Sequence, residues 1–298
     1  MSVQSLKVGN VFSKELAKEW EKKGNHIKEV QGCDNPMMKE LEFELGNGKE
    51  ILEIGCGSGK LLEHIAAHYD RCRIVGLDIS KDMIEAAKAK IDRLGNHNNI
   101  VQYIVGDIED GIFRQASFDV IILKQVLHHL HDPVFVLRKI REYLKPEGIV
   151  ILMVPGGQYQ SEIFPFHENG KDVLGRFSLD GLEEVLSEGG LFPYRIWKER
   201  FIFKFANFYD YITFMKDIGG LQKLFDYNQE KYSEAFALLK LYEKMLVFTR
   251  NFDVSGEYVV AICQRREVWG KYSSLIERRE DAYHDSEVLH ETGLQSVQ

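Results

Sequence analysis

Residues 51–65, ILEIGCGSGKLLEHI, decide the fold of this chain. An apolar stretch runs into three glycines, Gly55, Gly57 and Gly59, and a helical pattern follows at once. Glycine lets the backbone turn sharply and lie against a ligand that any Cβ would block. The start of a helix offers free N–H groups. The stretch therefore predicts a β-strand, a ligand-binding loop and an α-helix in that order.

Three kinds of nucleotide- or nucleoside-binding loop place glycines after a strand. A P-loop, GxxxxGK[ST], requires glycine at position 54 and serine or threonine at position 61, where this chain has Ile54 and Leu61. A dinucleotide loop, GxGxxG, requires glycine at position 60, where this chain has Lys60. The third kind, GxGxG after an acidic residue, fits Glu53 and all three glycines.

Apolar strands and helical segments alternate along the rest of the chain. The helices are predicted over 59–69, 80–95, 133–144 and 178–190, with Ser80 and Ser178 as N-caps. The strands are predicted over 50–55, 73–78, 100–107, 118–123, 148–155, 193–205 and 257–265. Continuous apolar strands separated by helices indicate a parallel sheet covered on both faces. The sequence therefore predicts an α/β fold.

Composition restricts the partners and the compartment. The chain has 38 Lys+Arg and 46 Asp+Glu, and the net charge of -8 disfavours nucleic acid as a partner. No apolar run approaches the ~18 residues of a membrane span, and the N-terminus lacks the apolar region of a secretory signal. Four cysteines without a CxxC pair predict neither disulfides nor zinc. We therefore expect a cytoplasmic protein without a membrane partner.

The loop and the motifs after it resemble those of the class I S-adenosylmethionine-dependent methyltransferases. Asp78 ends the strand RIVGLD, and SKDMIEAA, GDIED, SFDVIILKQVLHHL and LKPEGIVILMVP follow in the order of that family. The match covers residues 45–155, and five motifs in sequence are more specific than one glycine loop. The resemblance implies a Rossmann-like, seven-stranded, mostly parallel sheet with helices on both faces and a helical substrate-cap insertion.

The resemblance also implies a division of the chain into four parts. The cofactor would bind the core, and the additions to the core would bind the methyl acceptor. The parts are an N-terminal helical cap over 1–45 with a helix over 11–24, a cofactor-binding core over 46–157, the remainder of the core over 158–265 with a helical insertion over 206–250, and a C-terminal tail over 266–298 without regular structure.

S-adenosyl-L-methionine is the cofactor that the resemblance implies. Asp78 would accept hydrogen bonds from the ribose hydroxyls, Met83 would pack on the adenine, and Asp107 would receive the adenine amino group. A cap or turn role for either acid, and a core role for Met83, are the alternatives left open. The implied cofactor-binding residues are Glu53, Gly55, Cys56, Gly57, Gly59, Asp78, Ile79, Met83, Asp107, Ile108 and Lys124.

The segment after the fourth strand restricts which chemical groups the protein is expected to methylate. Members of the superfamily that methylate amides or amines carry [DN]-P-P-[YF] there, whereas this chain has Leu123, Lys124, Gln125 and Val126. This departure disfavours methylation of adenine, cytosine or glutamine amides. Two interpretations of Lys124 stay open: its ammonium holds an acidic substrate, or its side chain faces solvent while its carbonyl meets the cofactor.

Histidines supply the candidate catalytic residues. His128, His129 and His131 follow the fourth strand, but their spacing on one short turn without an acidic or Cys companion disfavours a metal site. We expect no metal. His128 and His129 are the candidate general bases, with packing or capping as the alternative. His167 and Glu168 are weaker candidates.

Aromatic residues in the additions are the candidates for binding the acceptor. Trp20, Tyr159, Phe208 and Tyr211 are the predicted substrate-binding residues, although aromatics at helical spacing are more often part of a core. The stretch 208–225, FYDYITFMKDIGGLQKLF, loosely resembles the insertion of methyltransferases that esterify a malonyl group on acyl carrier protein. Such a carboxylate acceptor requires no general base.

The sequence therefore predicts a cytoplasmic methyltransferase that acts on a small or carrier-protein-bound molecule, at oxygen. Methylation of RNA or protein is one alternative, which the acids that offset the lysines of the insertion disfavour. A nonenzymatic protein that binds S-adenosylmethionine is the other. The sequence predicts no particular oligomeric state and no particular acceptor.

Overall fold

A computed structural model of the chain describes residues 37, 41, 44–95, 97–164, 166, 172, 174–217, 237, 240, 241, 244, 251–265, 267 and 277–283. The predicted N-terminal helix over 11–24 lies outside these residues. So does most of the predicted insertion beyond residue 217, of which residues 237, 240, 241 and 244 are described as helical.

One mixed sheet organises the described residues. Its strand order is β3-β2-β1-β4-β5-β7-β6-β8. The first five strands are parallel to their neighbours in this order, whereas β7 is antiparallel to both β5 and β6. The predicted seven-stranded, mostly parallel sheet is confirmed, and an eighth strand extends it. The strands are β1 (Glu50–Ile54), β2 (Arg73–Asp78), β3 (Ile100–Val105), β4 (Phe118–Lys124), β5 (Leu144–Pro155), β6 (Leu191–Phe205), β7 (Phe252–Arg265) and β8 (Glu277–Tyr283).

The helices begin where short polar side chains cap them. The Ser80 hydroxyl accepts from the Met83 N–H at 3.3 Å, and the Ser178 hydroxyl accepts from the Gly181 N–H at 3.0 Å, so both predicted N-caps are confirmed. No helix within the described ranges is long and apolar enough to cross a membrane. The helices are α1 (Lys60–His68), α2 (Lys81–Leu94), α3 (Pro133–Tyr143), α4 (Leu179–Glu188) and α5 (Phe208–Asp217).

Three apolar clusters hold these elements together. Because strand side chains alternate between two faces, the sheet feeds a separate cluster on each side. The cluster shared with α3 and α4 includes Leu52, Val75, Ile121, Leu137 and Leu182. The cluster shared with α1 and α2 includes Ile51, Ile65, Ile74, Ile84 and Val120. The third cluster joins the loop after β5 to α5 and the ends of β6 and β7, and includes Phe164, Phe203, Phe205, Phe208, Tyr211, Phe214 and Val254.

The segment before β1 contains helical residues beyond the helix predicted over 11–24. Residues 37, 41 and 44 are helical, and Met37 and Leu41 are fully buried in the cluster that contains α1 and α2. The Tyr69 hydroxyl donates to the carbonyl oxygen of Leu41 at 3.2 Å. The spacing of Met37, Leu41 and Leu45 by four residues is the helical signal that the prediction overlooked.

β5 starts earlier than predicted. Phe118 pairs with Leu144, and Val120 pairs with Ile149, so residues 145–148 bulge out of the ladder between these pairs. The strand was predicted to begin at residue 148, but it begins at Leu144, and the irregularity of the ladder lies within it. A bulge of this kind leaves the strands on either side in the same sheet.

The C-terminal tail also differs from the prediction. Residues Glu277–Tyr283, which were expected to lack regular structure, form β8 parallel to β6. The free N–H and C=O groups of an edge strand accept such pairing whatever the local apolar periodicity, so the sequence pattern did not reveal it. The prediction of an unstructured tail is wrong for these residues.

Candidate functional site

The glycine loop lies at the carboxyl end of β1 and is tied to the end of β2. The N–H groups of Gly55 and Cys56 both donate to the carbonyl oxygen of Leu77, at 2.7 and 3.0 Å. Gly55, Gly57 and Gly59 have φ values of +67°, +52° and +76°. These left-handed values favour glycine over every residue with a Cβ. The backbone of the loop therefore has to be glycine-rich to turn from β1 into α1.

The three glycines differ in what surrounds them. A Cβ on Gly55 would lie 2.4 Å from a methyl carbon of Val126, and one on Gly59 would lie 2.7 Å from the Cβ of Ala87 in α2. A Cβ on Gly57 would meet nothing within 4 Å. Gly55 and Gly59 are thus required by close packing, whereas Gly57 borders open space. That space is where a ligand can approach the bare backbone.

Asp78 lies beside this space at the end of β2. Its Oδ2 accepts from the Gly57 N–H at 2.8 Å, and its Oδ1 accepts from the Ser80 N–H at 2.9 Å. Burial raises the pKa of Asp78, and the hydrogen bonds from Ser80 and Gly57 oppose the rise. A carboxylate has about four acceptor sites, so two backbone bonds leave room for two hydroxyl donors. Asp78 can therefore hold the loop and still bind a ribose.

Glu53 and Lys124 bring two further titratable groups to the same edge of the sheet. Glu53 is 3% exposed, and its Oε2 finds no hydrogen-bond partner among the described residues. Burial raises the pKa of Glu53 to about 8; the positive charge of Lys124 lowers it and the negative charge of Asp78 raises it further. Burial also lowers the pKa of Lys124, with Glu53 opposing and Lys60 reinforcing that effect. Burial therefore favours the neutral form of each of these two groups.

The residues predicted to surround the adenine have other contacts in this structure. Asp107 caps a short 3-10 turn, Ile108–Asp110, and its Oδ1 accepts from the Glu109 N–H at 3.0 Å. Ile108 and Met83 are both 4% exposed, and Ile108 packs in the cluster with α3 and α4. Ile79 is only partly buried. Cap and core roles are thus present, and contact with adenine stays a prediction.

The two candidate catalytic histidines lie on the turn after β4. A 3-10 turn over Leu127–His129 places the His128 and His129 rings 3.9 Å apart, His128 partly buried and His129 exposed. The His131 N–H donates to Glu109 Oε1 at 3.2 Å, which joins this turn to the turn after Asp107. Their catalytic role stays a prediction. His167 and Glu168 lie outside the described residues.

Gln125, between Lys124 and this turn, has a strained backbone that the sequence did not reveal. Its φ is +58°, a value that is rare for a residue with a Cβ. Its N–H donates to the carbonyl oxygen of Met153 at 2.8 Å, and its buried Nε2 finds no partner among the described residues. Such strain is concentrated at functional sites, but a glutamine carries no sequence signal for it.

Cys56, between the glycines, is a packing residue. It is 5% exposed, and a Cβ on Gly76 would lie 3.0 Å from its sulfur, so the absence of a side chain at Gly76 makes room for the thiol. Burial raises the pKa of Cys56 well above its usual range, and the nearby charges of Glu53 and Asp78 raise it further. The thiolate is therefore not available as a nucleophile at neutral pH.

The predicted acceptor-binding aromatics fall into two groups. Phe208 and Tyr211 are each 1% exposed, and the Tyr211 hydroxyl donates to Gln160 Oε1 at 2.6 Å. Both belong to the packed third cluster, so a core role is present, and their contact with a substrate stays a prediction. Tyr159 is partly buried and packs against the rim of that cluster. Trp20 lies outside the described residues.

Two buried carboxylates, which the sequence did not single out, hold the loop after β5. Asp172 Oδ1 accepts from the Arg176 Nε at 3.0 Å, and both side chains are nearly inaccessible. Glu257 Oε1 accepts from the Gln158 N–H at 3.1 Å, and its Oε2 accepts from the Arg200 Nε at 2.9 Å. A charged residue at the start of the apolar strand 257–265 was the only sequence signal for Glu257.

Comparison with known proteins agrees with this geometry. A family model for a methyltransferase domain matches residues 52–150. A malonyl-[acyl-carrier protein] O-methyltransferase of Halalkalibacterium halodurans is 29% identical over 58% of this chain and 66% of its own length. A ubiquinone biosynthesis O-methyltransferase of Vibrio campbellii is 30% identical over 44% of this chain and 55% of its own length. The matched regions thus span less than two thirds of these relatives.

Solved structures share the fold. Phosphoethanolamine N-methyltransferase 2 of Haemonchus contortus, in complex with S-adenosyl-L-methionine, superposes with a TM-score of 0.55. The match covers 89% of this chain and 60% of that chain at 17% identity, so it supports the assignment of the fold alone.

The described residues fit the cofactor of such a domain. Gly57 leaves a bare cradle, Asp78 keeps acceptor sites beside it, and the buried Glu53 oxygen lacks a partner. The order of the motifs, the strand order and the family match over residues 52–150 all agree. Residues 52–150 of the chain therefore form a methyltransferase domain, and the motifs of this domain are similar to those of the class I S-adenosylmethionine-dependent methyltransferases.

Proposed function

We propose that this chain transfers the methyl group of S-adenosylmethionine to an oxygen atom of a small or carrier-bound acceptor. The observation that carries the proposal is the open space over Gly57 beside the Asp78 carboxylate. A bare backbone next to an acid suits a nucleoside with two free hydroxyls. The sulfonium of the bound cofactor supplies an activated methyl group with a good leaving group.

The protein in this proposal contributes binding and orientation. The bare backbone of Gly57 lies against the bound cofactor, and Asp78 accepts hydrogen bonds from the ribose hydroxyls. The turn at Asp107 and Ile108 borders the adenine. Holding the methyl group in line with an acceptor oxygen lowers the activation free energy, by about 7–11 kcal/mol at the upper end. The loop after β5 and α5 form the side from which the acceptor enters.

A carboxylate is the acceptor that we propose. Burial raises the pKa of the Cys56 thiol, and it raises the pKa of the Tyr159 phenol to about 12, so neither group serves as a base near neutral pH. An ionised carboxylate requires no base. Both relatives are named as O-methyltransferases, one of them for a malonyl group on a carrier protein. For a hydroxyl acceptor, His128 and His129 are the proposed bases.

Calorimetric titration with S-adenosylhomocysteine tests cofactor binding. We expect Asp78→Ala to weaken binding by about 1–3 kcal/mol, because hydrogen bonds to a charged acceptor are lost. Asp180→Ala, an exposed acid in the first turn of α4, is the control and should leave the affinity unchanged. No heat of binding by the unaltered protein at millimolar ligand would overturn the proposal.

Transfer of a labelled methyl group tests the acceptor class. The protein is incubated with S-adenosylmethionine labelled in its methyl carbon and with a cell extract separated into metabolite, carrier-protein, RNA and bulk-protein fractions. We expect base-labile methyl ester label in the metabolite or carrier-protein fraction. Label in RNA or bulk protein would establish the alternative substrate classes. Tight cofactor binding without transfer to any fraction would indicate a nonenzymatic binding protein.

A further inference from the structure

Three aromatic side chains with exposed surface lie side by side near the carboxyl end of β5. They are Tyr159 of the loop after β5, Phe201 of β6 and Tyr258 of β7, and we call them the aromatic wall. The Tyr258 ring centroid lies 4.8 Å from that of Phe201 and 5.9 Å from that of Tyr159. Their neighbours Phe203 and Phe205 are buried, whereas the three rings of the wall are only partly buried. The wall therefore keeps aromatic surface that the protein does not cover.

The strand register places the wall on the face of the sheet that carries the glycine loop's helix. Met153 of β5 pairs with Val260 of β7, and both belong to the cluster shared with α1 and α2. Tyr258 lies two residues from Val260 and pairs with Pro155, at the carboxyl end of β5. Because side chains two residues apart point to the same face, Tyr258 shares the face of Val260, and it packs against the same cluster. The wall therefore adjoins the carboxyl edge on the side of α1.

A glycine on the neighbouring strand makes room for the Phe201 ring. Phe201 pairs with Gly256, which lies two residues from Tyr258, so the Phe201 and Tyr258 side chains share one face. A Cβ on Gly256 would overlap a ring carbon of Phe201, so the ring lies directly on bare backbone. Gly256 does not have a positive φ, so the ring, and not a turn, requires glycine at this position. One side of the Phe201 ring is thus fixed against β7.

Glu199 restricts how an acidic molecule can lie along the wall. Glu199 pairs with Tyr258 on the outer side of the wall, and its Oε1 accepts from the Trp197 Nε1 at 2.9 Å. Its negative charge repels a second carboxylate placed on that side. Neighbouring strands are about 4.8 Å apart, so the ends of β4 and β7, with β5 between them, are separated by about 10 Å. A molecule with one ring and a short acidic arm spans that distance, with its carboxylate towards the cofactor half and its ring against the wall.

We propose that the aromatic wall binds the planar, unsaturated body of the acceptor, which makes the substrate an aromatic or conjugated carboxylic acid. Pairs of aromatic rings in offset or edge-to-face arrangements gain free energy beyond the area that they bury. Rigid ring faces therefore favour a flat unsaturated group over a saturated one, and they give a small hydrophilic acid nothing to bind. The proposal rests on the proposed function, since it takes a carboxylate as the methyl acceptor.

Three acids that differ in their bodies test the substrate class. Each is titrated calorimetrically into the unaltered protein saturated with S-adenosylhomocysteine, so that no turnover occurs. trans-Cinnamate carries a conjugated ring, 3-cyclohexylpropanoate has the same carbon skeleton in saturated form, and malonate has no apolar body. We expect trans-cinnamate to bind about 3- to 10-fold more tightly than 3-cyclohexylpropanoate and at least about 10-fold more tightly than malonate. Equal affinities for the two ring acids, or no binding of trans-cinnamate, would overturn the proposal.

Variants of the wall assign the preference to its rings. Phe201→Leu and Tyr258→Leu should each weaken trans-cinnamate binding by about 3- to 10-fold and leave 3-cyclohexylpropanoate within about 2-fold. Tyr258→Phe keeps the ring and should keep the affinity for trans-cinnamate within about 2-fold. Phe135→Leu, which removes a partly exposed ring on α3 beside Lys139, is the matched control and should change neither affinity. Equal losses for both acids in the leucine variants would make the rings structural and would contradict the proposal.

The outcomes separate this proposal from the proposed function. Failure of the unaltered protein to bind S-adenosylhomocysteine would remove both. Binding of S-adenosylhomocysteine without a preference for trans-cinnamate would remove only the aromatic acceptor. Every wall variant must also keep the S-adenosylhomocysteine affinity of the unaltered protein, because the wall contacts the acceptor and not the cofactor. Since the comparison of the three acids uses the unaltered protein, it decides the proposal even if a wall variant fails to fold.

Discussion

Single residues of the glycine loop have separable roles. Gly55 and Gly59 pack against Val126 and Ala87, whereas Gly57 borders open space. All three have positive φ, which favours glycine at each position. Gly55 and Gly59 are also required by close packing, whereas Gly57 is not. Substitution by alanine distinguishes these two requirements.

The first prediction concerns Gly57 and Gly59. Gly57→Ala adds a left-handed penalty of about 1–2 kcal/mol but no clash, so the protein should fold and yet bind S-adenosylhomocysteine at least about 10-fold more weakly. Gly59→Ala carries the same penalty plus overpacking against α2, which costs about 1–3 kcal/mol more. Urea unfolding and calorimetric titration measure both effects. Wild-type affinity in Gly57→Ala would mean that the cofactor does not occupy the space over this residue.

The second prediction concerns pH. Burial raises the pKa of Glu53 to about 8, with Lys124 and Asp78 as the charged groups facing it. The folded state therefore holds this proton more tightly than the unfolded state does. The resulting stabilisation is complete below the unfolded pKa of about 4.3 and is lost as the pH rises through about 8.

Glu53→Gln removes this titration. We expect the free energy of unfolding of the variant, relative to the unaltered protein, to increase between about pH 5 and pH 9. Glu53→Gln with Lys124→Met is the control, because it leaves no Lys124 ammonium without its neighbouring acid. Urea unfolding at several pH values measures the difference. Parallel pH profiles for variant and unaltered protein would show that Glu53 does not titrate in this range.

The third prediction concerns His128 and His129. General bases contribute about 10²–10⁴-fold to the rate. With a carboxylate acceptor no base is required, so the double variant His128→Gln/His129→Gln should keep kcat within about 10-fold of the unaltered protein. Steady-state kinetics with the acceptor found in the labelling experiment measure this. A loss of 10²-fold or more, with loss of the acidic limb of the pH profile, would instead assign a base and a hydroxyl acceptor.

Among the elements, the loop after β5 is held in place by buried charged side chains. The Asp172–Arg176 ion pair is buried, and Arg176 Nη1 also donates to the carbonyl oxygen of Tyr159 at 2.9 Å. Glu257 fixes the start of the same loop through the Gln158 N–H. The loop is thus stabilised by interior charge pairs, and under the proposed function it forms part of the acceptor side.

The fourth prediction is therefore that this ion pair holds the acceptor side without affecting the cofactor site. Arg176→Met leaves the Asp172 carboxylate buried without its guanidinium and should destabilise the fold by about 3–5 kcal/mol. Asp172→Leu/Arg176→Met should recover most of that loss. Thermal unfolding measures the stability, and titration with S-adenosylhomocysteine should give unchanged affinities. A double variant no more stable than Arg176→Met would contradict the role of the charge pair.

Elements that depend on local sequence were predictable, and those that depend on distant partners were not. Ser80 and Ser178 cap their helices as their positions indicated. β8 arises from pairing with a distant edge strand, for which its own sequence has no period to show. Likewise, the sequence pattern of an aromatic residue at helical spacing does not depend on whether the residue faces a substrate or a core. Tyr211 faces a core.

For the whole molecule, the cofactor half was predictable because each binding motif directly follows a strand. The motif order places Gly57 and Asp78 at neighbouring strand ends, since β1 and β2 pair in parallel. The part that we propose for the acceptor is built by long-range packing between the loop after β5, α5 and the ends of β6 and β7. No short motif encodes such packing, so the sequence does not indicate the roles of Asp172 and Arg176.

The region between β6 and β7 leaves and re-enters the sheet at one place. Phe205 pairs with Phe252, and the Asn251 N–H donates to the carbonyl oxygen of Ala206 at 3.0 Å. A segment whose two ends are bonded to each other can be lengthened, shortened or traded for another without shifting the strands that flank it. Under the proposed function, exchange of this one segment would change the acceptor while the strands and the glycine loop stay the same.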